Sequence, residues 1–73
     1  MSRFPAITGK QLIKLLSAHG FKTIRQRGSH CFIRHTDGRA TVVPVHGGET
    51  IGEGLLCRVL RDTELTKEEL FRK

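Results

Sequence analysis

The sequence predicts a small α+β domain, α-β-β-β-α with a three-stranded antiparallel sheet and a short C-terminal helix. Three observations point to it. A helical apolar period fills residues 8–20, three β-branched stretches separated by Gly-Ser and Asp-Gly follow, and two Thr-x-x-Glu helix starts close the chain. At 73 residues the chain is read as one domain, residues 1–73, and a chain of this size buries only about 60% of its unfolded surface. Leu, Ile, Val and Phe supply 21 residues, enough for a core but not for an enclosed pocket, so function belongs on a surface.

The lead, Met1 to Ile7, carries Pro5, which discourages an early helix. Thr8 and Gln11 then form a capping box, with Ile7 and Leu12 at the spacing of a hydrophobic staple. Leu12, Leu15, Leu16 and His19 fall at i, i+3, i+4, i+7, Ile13 widens the stripe, and Gly20 supplies the left-handed stop from which Phe21 folds back on Leu16. Lys22 to Arg27 reads as a strand and Gly28-Ser29 breaks it. His30 to Thr36 is the second strand, Asp37-Gly38 a hairpin turn, and Ala40 to Val45 the third strand, in which Pro44 marks an edge. Two registers are open for this hairpin. A two-residue loop pairs Ile33 with Val42. A three-residue loop pairs Ile33 with Val43 and Cys31 with Val45, setting His30 opposite His46; it is preferred because it gives three apolar pairs on the core side. Thr50 with Glu53 opens a second helix, Gly52 to Asp62, buried through Ile51, Leu55, Leu56, Val59 and Leu60, with Arg58 and Arg61 facing out. Thr66 with Glu69 opens the terminal helix, Lys67 to Arg72, stapled by Leu65 and Leu70.

Charge separates the chain into halves. The net charge is +6, but residues 1–46 hold eight Lys and Arg against one acid, Asp37, while residues 47–73 are close to neutral. A basic block of this kind is the electrostatic footprint of a polyanion partner. No apolar run is long enough to span a membrane and no signal-peptide pattern opens the chain; with two lone cysteines, a reduced cytoplasmic location is expected.

Strand alternation puts Cys31, Ile33 and His35 on one face, and His30, Phe32 and Arg34 on the other. Cys31 and Ile33 suit the core, so a histidine, an aromatic and a guanidinium share the open surface, next to Arg25, Arg27 and Ser29 of the preceding bend. Aromatic and Arg planes stack on bases, and Arg binds phosphate, so this row suits single-stranded RNA. Lys10 and Lys14 add one turn of helical cations.

Other chemistries fail on spacing. Cys31 and His35 of one strand lie about 13 Å apart, too far to chelate one zinc, so no metal and no cofactor is expected. Cys31 and His30 point to opposite faces, which removes a thiol–imidazole pair. Paired carboxylates are absent from the basic region, and Gly47-Gly48 lacks the Lys-Ser/Thr of a phosphate-binding loop. Acid–base chemistry at His30 beside arginines survives. RNA brings its own nucleophile, the 2′-OH, so one histidine and nearby cations suffice to cut it. A non-cleaving RNA-binding module on the same face is the alternative.

The residues Ile7-Thr8-Gly9-Lys10, Gly20-Phe21, Arg25-Gln26-Arg27-Gly28-Ser29-His30, Val43-Pro44-Val45-His46-Gly47-Gly48, Ile51-Gly52 and Gly54-Leu55-Leu56 stand in order and spacing over nearly the whole chain. In these the sequence resembles the HicA-type toxins of toxin–antitoxin systems, a family of small mRNA interferases. The resemblance implies a double-stranded-RNA-binding-domain-like fold, cleavage of mRNA with His30 as the catalytic residue, and a HicB-type antitoxin covering the active face. Cys31 stands where such chains often carry His or an aliphatic residue.

Overall fold

The computed structural model describes residues 4–72, so the first residues of the lead, Met1 to Arg3, lie outside the described part. The order is α1 (Gly9–Ala18), β1 (Lys22–Arg27), β2 (His30–Arg34), β3 (Ala40–Pro44), α2 (Glu53–Thr63) and α3 (Lys67–Phe71), with an antiparallel sheet ordered β1-β2-β3. The α-β-β-β-α layout and the terminal helix are those expected.

Local chemistry sets the helix ends. Both halves of the Thr8–Gln11 capping box form: Gln11 N donates to Thr8 Oγ1 at 3.2 Å and Thr8 N to Gln11 Oε1 at 2.9 Å. Gly20, at φ 90°, ends α1, with Gly20 N donating to Ser17 O and Phe21 N to Leu16 O. That pair of bonds is a Schellman motif, and it folds Phe21 into the core. A second constraint acts on the same glycine, because a Cβ there would sit 2.8 Å from Nε2 of His35. His35 in turn meets the edge of the Phe21 ring at 5.0 Å between centroids. The Thr66–Glu69 box of α3 also forms both bonds, at 2.8 and 3.0 Å, and the first of them, from Thr66 N to Glu69 Oε1, holds the Glu69 carboxyl below the usual range. Leu70 is fully buried as the staple requires.

The second helix departs from expectation at its start. The Thr50–Glu53 capping box is absent; Gly52 is the N-cap and offers no side-chain bond. Thr50 is instead engaged in an isolated antiparallel bridge with Thr8, and Ile51 N donates to Ile7 O at 2.7 Å. Pairing with the lead keeps residues 50–51 extended, and the helix begins after them. At its other end α2 turns out through Glu64, a non-glycine residue at φ 58° and ψ 33°, with Leu65 N donating to Leu60 O.

The β2–β3 register also differs from both expected pairings. Cys31 lies opposite Val43, Ile33 opposite Thr41 and His30 opposite Pro44. The loop is Thr36-Asp37-Gly38, closed by His35 N donating to Arg39 O at 2.8 Å and Gly38 N to His35 O at 3.0 Å. Asp37 drives this choice: Oδ1 accepts from Arg39 N at 3.0 Å and Oδ2 from Arg39 Nε at 2.8 Å, bonds that hold its carboxyl below the usual range. Gly38, at φ 101°, takes the left-handed third position of such a loop. The strands consequently stop at Arg34 and Pro44 rather than at Thr36 and Val45. The register sends Thr41, not an apolar residue, inward, and its hydroxyl is satisfied by donating to Asp62 Oδ2 at 3.0 Å.

The helices cover one face of the sheet. Leu12 and Leu16 of α1, Phe21, Cys31 and Ile33 of β2, Val43 of β3, Leu56 and Val59 of α2 and Leu70 of α3 form one cluster. Arg39 fastens the β2–β3 turn to this assembly, lying 5.1 Å over the Phe21 ring and donating from Nη1 to Thr63 O at 2.6 Å. Among the described residues no helix is long and apolar enough to cross a membrane.

Candidate nucleic-acid interface

The opposite sheet face is uncovered, and strand register arranges it in rows. Arg27, His30 and Pro44 are mutual neighbours across the three strands; Arg25, Phe32 and Val42 form the next row; Lys22, Arg34 and Ala40 form the third. Directly opposed side chains stand about 5 Å apart, close enough to act together. His30 and Arg34 are exposed, Cys31 and Ile33 buried, and Phe32 half-buried, as alternation requires.

The cations of β1 owe their place to an irregularity. Between Thr23 and Arg25 the pairing slips by one residue, leaving Ile24 as the extra one, 60% exposed. In a regular strand paired from Lys22 with Arg34, Arg25 would oppose Cys31 and point at the core. The bulge restores parity, so Lys22, Arg25 and Arg27 all share the face of His30. The sequence shows only six residues of strand type and carries no signal for this step.

A tight turn presents the histidine. Gly28, at φ 58°, opens the two-residue loop, and Ser29, half-buried, follows it with negative φ. This is the pattern of a II′ hairpin turn, which favours Gly at its first position. Gln26 Nε2 braces the turn by donating to Gly28 O at 3.1 Å, and Ser29 O accepts from Val45 N at 2.7 Å, tying the hairpin to the end of β3. In this contact Ser29 uses its main chain.

Arg25 lies over Phe32, with Cζ 4.8 Å from the ring centroid. The guanidinium and the ring form one platform, a cation–π contact worth about 0.5–1 kcal/mol where exposed. Beside it runs an open groove lined by Arg27, His30, Phe32, Val42, Pro44, Leu55 and Arg58. It has two guanidinium groups, one imidazole and no carboxylate. An adjoining depression continues past Phe32 and Val42 to Arg34, Ala40 and Asp62, with Arg58 on both.

The site gathers Arg25, Arg27, His30, Phe32 and Arg34. It does not gather the rest. Lys10 and Lys14 are exposed on α1, which packs on the core face, and neither lines the groove. His46 lies two residues past Pro44 in a turn closed by Glu49 N to its carbonyl, so the expected pairing of His30 with His46 gives way to His30 with Pro44. Leu55 and Arg58 are residues that sequence reasoning leaves out of the site. Arg58 faces solvent, as expected, yet α2 runs along the β3 edge, and its guanidinium reaches the groove there, donating from Nη2 to Val42 O at 3.3 Å. The i,i+4 relation of Arg58 to Asp62 was visible in the sequence; the strand edge beneath it was not.

Cys57 is exposed and Cys31 buried, and both are free thiols. Among the described residues no three His, Cys, Asp or Glu side chains gather where they could hold one metal ion.

Residues 9–65 match the family described as the HicA toxin of bacterial toxin–antitoxin systems. No curated protein matches the chain.

Proposed function

The chain belongs to the HicA family of toxins of bacterial toxin–antitoxin systems, and from that premise we propose that it is an endoribonuclease acting on mRNA through His30, residues 1–73 working as one RNA-binding and cleaving domain in the cytoplasm. The observation that carries this reading is His30 in a groove between two arginines, next to an Arg25–Phe32 platform.

The chemistry needs few parts. An RNA strand lays a base on the platform and a phosphate over the Arg27–His30 row. The 2′-oxygen bonds to phosphorus, the P–O5′ bond breaks, and the products are a 2′,3′-cyclic phosphate and a 5′-hydroxyl. One proton leaves the 2′-OH and one joins the departing 5′-oxygen. His30, the imidazole of the groove, carries the proton at one of these two ends and solvent at the other. Arg27 offsets the charge that gathers on the phosphoryl oxygens. Lys22 and Arg34 extend the cationic surface along the strand. A HicB-type antitoxin inhibits by covering this face, offering acidic groups to the arginines and apolar ones to Val42, Pro44 and Leu55.

Replacing His30 with Ala tests the reading. Acid–base catalysis of this kind contributes about 10²–10⁴ in rate, so the variant should stop cutting mRNA and stop inhibiting growth while still binding RNA and antitoxin. A variant that cuts as fast as the parent would remove His30 from the chemistry, whereas a parent that binds RNA without cutting it would reduce the protein to an RNA-binding module.

A further inference from the structure

We propose that Arg58 is a second phosphate-binding residue of the cleavage groove, gripping the strand over His30 from the side opposite Arg27. This rests on the ribonuclease reading and adds to it a residue of α2, outside the Gly-Ser-His hairpin.

The argument begins with position. Arg27 enters the groove from β1, His30 from β2, and Arg58 from beyond β3, so the imidazole lies between two guanidinium groups. The strands are about 4.8 Å apart. The span from the Arg27 row position to the far edge of the sheet is therefore about 10 Å, which two long side chains close around a phosphate. Without Arg58, the β3 side of the groove offers only Val42, Pro44 and Leu55, none of which binds an anion through its side chain.

The second point is how loosely Arg58 is engaged. Its Nη2 donates to Val42 O at 3.3 Å, near the long limit for such a bond, and its Nε stands 3.9 Å from Asp62 Oδ2. The side chain is 51% exposed, and an exposed i,i+4 pair of this kind contributes little to folding. These contacts aim the guanidinium across the strand edge without using it up. A guanidinium has five N–H donors in a planar fork that matches two phosphate oxygens. Most of them have no other partner among the described residues. Arg61, one turn-fraction further along α2 and also exposed, lines neither depression. It carries the same charge at a similar distance along the chain and serves as the internal control.

The experiment compares the parent with Arg58→Ala, Arg58→Lys and Arg61→Ala. Cleavage of an mRNA transcript is followed in single-turnover mode. Binding of a short fluorescent single-stranded RNA is titrated against salt in a His30→Ala background. Arg58→Ala should slow cleavage about 10- to 100-fold, below the range for a buried oxyanion donor because the groove is open. It should also flatten log K against log salt by about 0.7 for the lost phosphate contact. Lysine should restore the salt slope but only part of the rate, since it keeps the charge and loses the fork. Arg61→Ala should stay close to the parent in both. Equal effects of Arg58→Ala and Arg61→Ala, or an unchanged salt slope in Arg58→Ala, would overturn the proposal. If the parent cuts no RNA, the ribonuclease reading falls, and the salt slopes still decide whether Arg58 binds phosphate.

Discussion

Gly9 is the position where a single methyl group should report on the joint between α1 and the functional groove. It is buried at the first turn of α1, and a Cβ built there overlaps the carbonyl oxygen of Pro44, with Pro44 C at 3.1 Å and Val45 Cα at 3.2 Å. Two effects oppose each other in Gly9→Ala. Alanine is the better helix former by at most about 1 kcal/mol, and less at a helix end. Against this, all three neighbours are backbone atoms, and Val45 N is committed to Ser29 O at 2.7 Å, so the obstacle cannot rotate away. Overpacking against a fixed neighbour costs about 1–3 kcal/mol. The net expectation is a loss of about 1–2 kcal/mol, which at about 4–8 °C per kcal/mol for a domain this size lowers the unfolding midpoint by about 4–16 °C. Thermal melts followed by circular dichroism, in a His30→Ala background that spares the expression host, measure it. Since Pro44 shares the groove with His30, RNA affinity should fall in the same variant. A midpoint at or above that of the parent would refute the reasoning, showing that the β3 end yields and helix propensity wins.

Two further outcomes are expected. Glu64 holds a left-handed conformation that costs a non-glycine residue about 1 kcal/mol, so Glu64→Gly should raise the unfolding free energy by about 0.5–1 kcal/mol at pH 7, read as a higher urea midpoint, with Glu64→Ala giving no such gain. Stability should also decline in acid through Asp37 and Glu69. Both carboxyls are lowered by main-chain N–H donors, those of Arg39 and Thr66. Their contribution is therefore present above the ordinary carboxylate range and lost as pH falls through the lowered folded values, below about pH 4. Denaturant midpoints of the parent and of Asp37→Asn with Glu69→Gln, measured from pH 7 to pH 2, should converge at the acid end; parallel curves would remove these two groups from the acid response.

Much of the site was legible from neighbouring residues. The parity of β2 placed His30, Phe32 and Arg34 together, and Gly28-Ser29 marked the turn that presents them, because side-chain direction in a strand and turn geometry depend on two to four residues. The neighbours of those residues were not legible. Whether Arg25 faces the core or the open surface depends on one extra residue at Ile24, whose six-residue strand reads the same with or without a bulge. Whether His30 faces His46 or Pro44 depends on where the following loop closes, and Asp37 decides that through bonds to Arg39 on one side and a bond from its own N–H to His35 Nδ1.

The sequence by itself determined the pieces that close their own hydrogen bonds: α1 with both its caps, the capping box of α3, the Gly-Ser turn, and the division of β2 into a core face and an open one. Tertiary structure decided whatever required two distant segments to meet. Thr8 took Thr50 away from its capping box, Asp62 met the inward hydroxyl of Thr41, and Arg58 came over the edge of β3 to the groove of His30. The physical reason is range. A cap or a turn is settled by bonds among residues three or four apart. A register, a bulge or a groove is settled by the burial of many side chains at once, and a one-residue slip that leaves every local preference intact would turn a strand's whole apolar set outward.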